Sequence, residues 1–109
     1  MSSTLFTPYK LGPVTLRNRT IRSAAFESMG KDFGPTRQLK DYHVAVARGG
    51  VGMTTLAYAA VCRSGLSFNK QLWLRPEIVP GLREITDAVH REGAAAAIQI
   101  GHCGNMTHW

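Results

Sequence analysis

Gly49-Gly50-Val51-Gly52-Met53-Thr54-Thr55-Leu56-Ala57-Tyr58 decides the fold. The glycine pair stops a helix, because glycine readily adopts the left-handed backbone that ends one. The run after it is almost entirely apolar or β-branched, the pattern of a strand buried on both faces of a parallel sheet. The glycines precede a strand, whereas a dinucleotide fingerprint follows one and opens a helix. A helix leading at once into a buried strand is half of a β/α unit.

Working toward the N-terminus, Thr36 is a helix N-cap candidate. Leu39, Tyr42, His43, Val46 and Ala47 share one helical face. Asp32-Phe33-Gly34-Pro35 breaks the chain ahead of that helix, and a strand is expected over residues 20–25. Before it, Tyr9-Lys10-Leu11 and Val14-Thr15-Leu16 flank Gly12-Pro13 and predict a hairpin. Toward the C-terminus, a long connection over 62–77 contains Gly65, Asn69, Trp73 and Pro76, with Trp73 expected over the mouth of a barrel. Pro80 suits a helix start. Leu82, Ile85 and Val89 form that helix's stripe, Gly93 closes it, and a third strand is expected over 94–100.

The order hairpin, then βαβαβ, predicts an α/β chain: the N-terminal part of a (β/α)8 barrel. A closed barrel takes roughly 250 residues. At 109 residues the chain is therefore expected to be incomplete. Residues 1–18 form a hairpin cap, and 19–109 supply three strands and two helices of one domain. Three stretches of chain, Ser23-Ala24-Ala25, Tyr58-Ala59-Ala60 and Gln99-Ile100-Gly101-His102, are predicted to meet at the rim where the strands end.

Net charge is +6, from 13 Lys and Arg against 7 Asp and Glu. The basic residues are scattered, without a run or an aromatic ladder, which argues against nucleic acid as a partner. No apolar run reaches the ~20 residues that span a bilayer. The N-terminus has no basic n-region or long apolar stretch, so no secretory signal is read. Two cysteines, Cys62 and Cys103, make no disulfide framework and favour a cytoplasmic location.

Gln99 carries the strongest chemical signal. A glutamine in a strand expected to be buried is costly unless its amide is paired. It offers a donor beside an acceptor, the complement of a flavin pyrimidine edge; a bond to a neighbouring strand would satisfy it equally. Ser23, Ala24, Ala25, Ala59 and Ala60 are small enough for a flat ring to approach the backbone, or simply to pack a barrel. His102, Cys103 and His108 fit no standard zinc spacing, so no metal is assigned. Glu27, Lys31 and Asp32 are expected in a solvated loop, and His43 and His90 on the surface or the flanks of their helices. Arg63, Asn69, Lys70 and Arg75 lie in the second loop, where a substrate or nicotinamide phosphate is one use for them.

Leu5-Phe6-Thr7-Pro8, Leu16-Arg17-Asn18-Arg19, Gly49-Gly50-Val51-Gly52-Met53 and Ile98-Gln99-Ile100-Gly101-His102-Cys103-Gly104-Asn105 together resemble the start of the old yellow enzyme family. These are NADH:flavin oxidoreductases built as FMN-dependent (β/α)8 barrels. The resemblance covers essentially the whole chain, in order. It implies non-covalent FMN bound at Ser23, Ala24, Ala25, Tyr58 and Gln99, with Phe26 and Ala59 close by. It also implies NAD(P)H as reductant and a small-molecule acceptor, such as an activated alkene, as substrate. Many members carry Pro at the position of Ala24, Thr or Cys at that of Phe26, and H-A-G-R where this chain has His102-Cys103-Gly104-Asn105. The family's substrate-binding pair, proton donor and flavin phosphate site come from later strands, so no catalytic residue is assigned here. No membrane partner is expected, and a homo-oligomer is compatible with the sequence.

Two other readings stand beside this one. The first is a different TIM-barrel enzyme, an aldolase or an isomerase, which would carry no flavin. The second is a noncatalytic truncated product acting as an interaction module. An isolated piece of this kind is expected to be inactive and loosely packed or self-associating, because three strands leave an open sheet edge.

Overall fold

The structure, a computed structural model, describes residues 3–107; Met1, Ser2, Trp109 and His108, one of the three metal-like residues, lie outside the described residues. β1 (Tyr9–Leu11) and β2 (Val14–Leu16) pair antiparallel with Leu11 opposite Val14. Gly12-Pro13 is therefore a two-residue turn, with Gly12 at φ +57°. The next strand, β3 (Ile21–Arg22), is shorter than the 20–25 expected.

Thr36 caps α1 (Arg37–Arg48): its Oγ1 accepts a hydrogen bond from the Leu39 N–H at 3.1 Å. Thr36→Ala is expected to cost about 1 kcal/mol, read as a lower melting temperature with unchanged helical content. Gly49 and Gly50 close the helix, and Gly50 takes φ +108°. β4 (Met53–Ala60) follows, then a second short strand β5 (Leu72–Trp73). α2 (Val79–Arg91) has Pro80 in its first turn and ends before Gly93, at φ +88°. β6 (Ala95–Gly101) closes the order.

These strands make one parallel four-stranded sheet centred on β4. β3 pairs with its start, through Ile21–Met53 and Arg22–Thr54. β5 pairs with its end on the same edge, through Ala59–Leu72 and Ala60–Trp73. β6 runs along the other edge, with a register shift between Leu56 and Ala59. The Ala57–Tyr58 peptide is cis. β5 lies inside the connection expected to be strandless. Its Trp73 is fixed there by pairing, with the Arg75 guanidinium 4.7 Å from the ring centre.

Both helices cover one face of the sheet through a core of Leu39, Ala47, Leu56, Ala59, Ile85, Val89 and Ala94. Two surface ion pairs join helix to helix side: Lys40–Glu84 and Arg48–Glu92, each 2.9 Å. Each hydrogen bond holds its carboxyl below the usual range. A depressed folded-state value stabilises above the ordinary carboxylate pKa and fades as pH falls through the lower one. These pairs are exposed, so acid is expected to loosen the helix contact only slightly.

The end of the sheet where the strands begin is locked by Arg17. Its Nε and Nη2 donate to Val51 O at 3.1 and 2.9 Å, its Nη1 to Glu92 O at 2.7 Å, and its Nη2 also to Ala47 O. One side chain thereby joins the ends of both helices to the entry of β4. Asn18 Nδ2 donates to Gly50 O at 2.7 Å beside it. Gly52 is required in this knot, since a Cβ there would sit 2.6 Å from Asn18 O. Gly52→Ala is expected to lower the melting temperature by more than Thr36→Ala, because the opposing atoms are backbone.

Candidate functional site

A parallel sheet puts the C-terminal ends of β3, β4 and β6 on one rim. Ser23, Ala24 and Ala25 follow β3 there, with Ser23 and Ala25 exposed and Ala24 half-buried. Ala96 packs into the core under the helices, and Ile98 lines a small hollow with Leu56 and Leu82. Alternation then turns Gln99 to the opposite face. There it lines an open hollow of about 280 Å³ with Tyr58, Ile100, Gly101, His102 and Cys103.

Gln99 is not buried, as its strand setting had suggested, but exposed. Its carboxamide makes no hydrogen bond among the described residues, because nothing described covers that face. Tyr58 and Cys103 also line an adjoining hollow of about 320 Å³ with Ser67, Phe68 and Met106. The Tyr58 hydroxyl is 2.9 Å from Ser67 Oγ, which orients the ring. Phe26 lies between Tyr58 and Phe68, with ring centres 5.0 and 5.3 Å away. These three rings form an apolar row beside the rim.

His102 is pinned against Gly65, where a Cβ would come within 2.8 Å of the imidazole. Its Nδ1 accepts the Gly104 N–H at 2.9 Å, and its Nε2 lies 3.3 Å from Ser64 Oγ. An accepting Nδ1 puts the proton of the neutral ring on Nε2. Arg63, Asn69 and Lys70 are exposed. Arg75 is used structurally: it donates to Phe33 O and Asp32 O, both at 3.0 Å, and holds the turn that carries Asp32 and Phe33 at positive φ.

Two expectations are corrected. Glu27 is not in a solvated loop; its side chain is 2% exposed and pairs with Arg22 at 2.9 Å. His43 is not on a helix flank; its side chain is 0% exposed and its Nε2 is 2.9 Å from the same carboxylate. Burying the His43 ring is affordable because both nitrogens find partners, Glu27 and, at 2.7 Å, Thr54 Oγ1. His43 sits four residues from both Leu39 and Ala47, so its burial was written in the helical spacing.

The family model for "NADH:flavin oxidoreductase / NADH oxidase family" matches residues 4–108. A 4,4'-dithiodibutanoate disulfide reductase of Rhodococcus erythropolis is 48% identical over 100 residues, covering 92% of this chain and 25% of the relative. A probable N-methylproline demethylase of Rhizobium meliloti is 48% identical over 107 residues, covering 96% of this chain and 16% of the relative. The solved structure of morphinone reductase in complex with tetrahydroNAD superposes with a TM-score of 0.86 at 25% identity, covering 98% of this chain and 29% of that one. This chain thus spans a quarter or less of the length of those two relatives. Among the described residues, no helix is long and apolar enough to cross a membrane. With the motifs in order, the rim in place and the family model matching nearly end to end, this chain belongs to the NADH:flavin oxidoreductase / NADH oxidase family, that of the old yellow enzymes.

Proposed function

We propose that this chain supplies the first strands of an FMN-dependent NAD(P)H oxidoreductase barrel, with the acceptor an activated alkene or a similar electrophile. The observation that carries the reading is the unpaired Gln99 carboxamide, facing the same hollow as Tyr58 on the rim where Ser23, Ala24 and Ala25 emerge. That donor and acceptor, side by side and free, fit the pyrimidine edge of a flavin. Bound non-covalently, FMN would supply the chemistry of hydride transfer from NAD(P)H to the acceptor.

The chain's own residues would bind and orient the ring. Gln99 pairs with the pyrimidine edge. Tyr58 and Ala59 offer backbone at the end of β4, and the small Ser23, Ala24 and Ala25 let the ring approach the loop after β3. The row of Phe26, Tyr58 and Phe68 would give the site an apolar side. The relative named as a disulfide reductase makes a disulfide the second acceptor class to assay. Two free cysteines, Cys62 and Cys103, are in keeping with a reducing cytoplasm.

The test is anaerobic. The full-length protein that carries this chain, mixed with FMN, is expected to retain a yellow, protein-bound flavin that bleaches on adding NADPH or NADH and recovers its colour with the acceptor. A full-length protein that binds no flavin would favour an aldolase or isomerase barrel instead.

A further inference from the structure

The loop after β3 is closed on itself by a buried charge. Arg22 and Glu27 stand on either side of Ser23-Ala24-Ala25-Phe26, with Nη1 2.9 Å from Oε2. Arg22 also donates to Thr55 O at 2.7 Å, inside β4, and to Ala25 O at 3.4 Å, inside the arch. The Glu27 carboxylate accepts the Ala57 N–H at 3.1 Å. Ala57 lies where β4 and β6 lose register. His43 reaches the same carboxylate from α1. Three donors from three elements converge on two oxygens.

We propose that Glu27 is a positioning residue for the flavin, a role that rests on the reading under Proposed function. It holds the 23–26 arch against the end of β4 at Ala57, so that two of the three strand ends meet the ring in one geometry. A buried ion pair is a poor source of net stability, because desolvation offsets most of its attraction. What it imposes is direction: a carboxylate engaged from Arg22, His43 and Ala57 leaves the arch one arrangement. Phe26, the residue before Glu27, transmits that arrangement to Tyr58 by ring contact at 5.0 Å.

The test compares Glu27→Ala and Glu27→Gln, made in the full-length protein that carries this chain, with the unmodified full-length protein by FMN titration, the absorption bands of the bound flavin, and thermal melting without flavin. Glu27→Ala is expected to raise the FMN Kd about tenfold, the scale of one charge-assisted hydrogen bond. Glu27→Gln keeps an oxygen for the Ala57 N–H but loses the charge; an about threefold rise is expected. In both, the flavin bands shift. A lower melting temperature with unchanged Kd and unchanged bands would make Glu27 a purely structural residue and overturn the proposal. If Glu27→Ala does not fold, Glu27→Gln decides alone by the same two readouts. An unmodified protein that fails to bind FMN sinks the flavin reading itself and is recognised before any variant is compared.

Discussion

Arg17→Ala is expected to destabilise the fold by about 3 kcal/mol, the upper range for losing hydrogen bonds to a charged group. Arg17 serves the carbonyls of Ala47, Val51 and Glu92 with one guanidinium. Truncation leaves all three acceptors without that donor and removes a cation from beside two helix C-termini. For a unit of this size the fall in melting temperature is about 10–20 °C. Arg17→Lys is expected to recover only a minor part, because a single ammonium cannot span three diverging acceptors. Thermal melts of both variants check this. A melting temperature for Arg17→Ala within a degree or two of the unmodified protein would mean that the knot at the start of the sheet holds without its cation.

The second large effect is on binding rather than folding. In the full-length protein that carries this chain, Gln99→Ala is expected to weaken FMN by about ten- to a hundredfold, the loss of two hydrogen bonds. It should leave stability within about 0.5 kcal/mol, since the side chain is exposed. That contrast makes the variant informative: it removes nothing the described fold uses. Flavin titration and a melt on the same sample check both halves. Equal affinity together with an unchanged flavin spectrum would remove Gln99 from the site.

Much of the frame was legible because its signals are local. The Thr36 cap, the glycines after each helix and the apolar run into β4 each report on a few neighbouring residues. The strand order followed from alternation of elements. Local signals fail where a partner is distant or an element is too short for a period. β5, Leu72–Trp73, offers two residues and no periodicity. β3 shrinks because only Ile21 and Arg22 find partners in β4, after which the chain arches away. Glu27 looked like a loop carboxylate because Arg22, His43 and Ala57, which bury it, come from three different elements. His43 had a readable position on its helix but an unreadable partner. Gln99 was placed on the right strand, but its exposure depends on what covers the face away from the helices, which no single strand encodes.

The claim beneath the functional reading is spatial: the loop after β3, the end of β4 and Gln99 share one planar ligand. A crystal structure of the protein with FMN tests it most directly. The expected density places the flavin pyrimidine edge within hydrogen-bonding distance of the Gln99 carboxamide, with the same ring against Ser23, Ala24 and Ala25. Flavin density elsewhere, or on the rim but out of reach of Gln99, would contradict it.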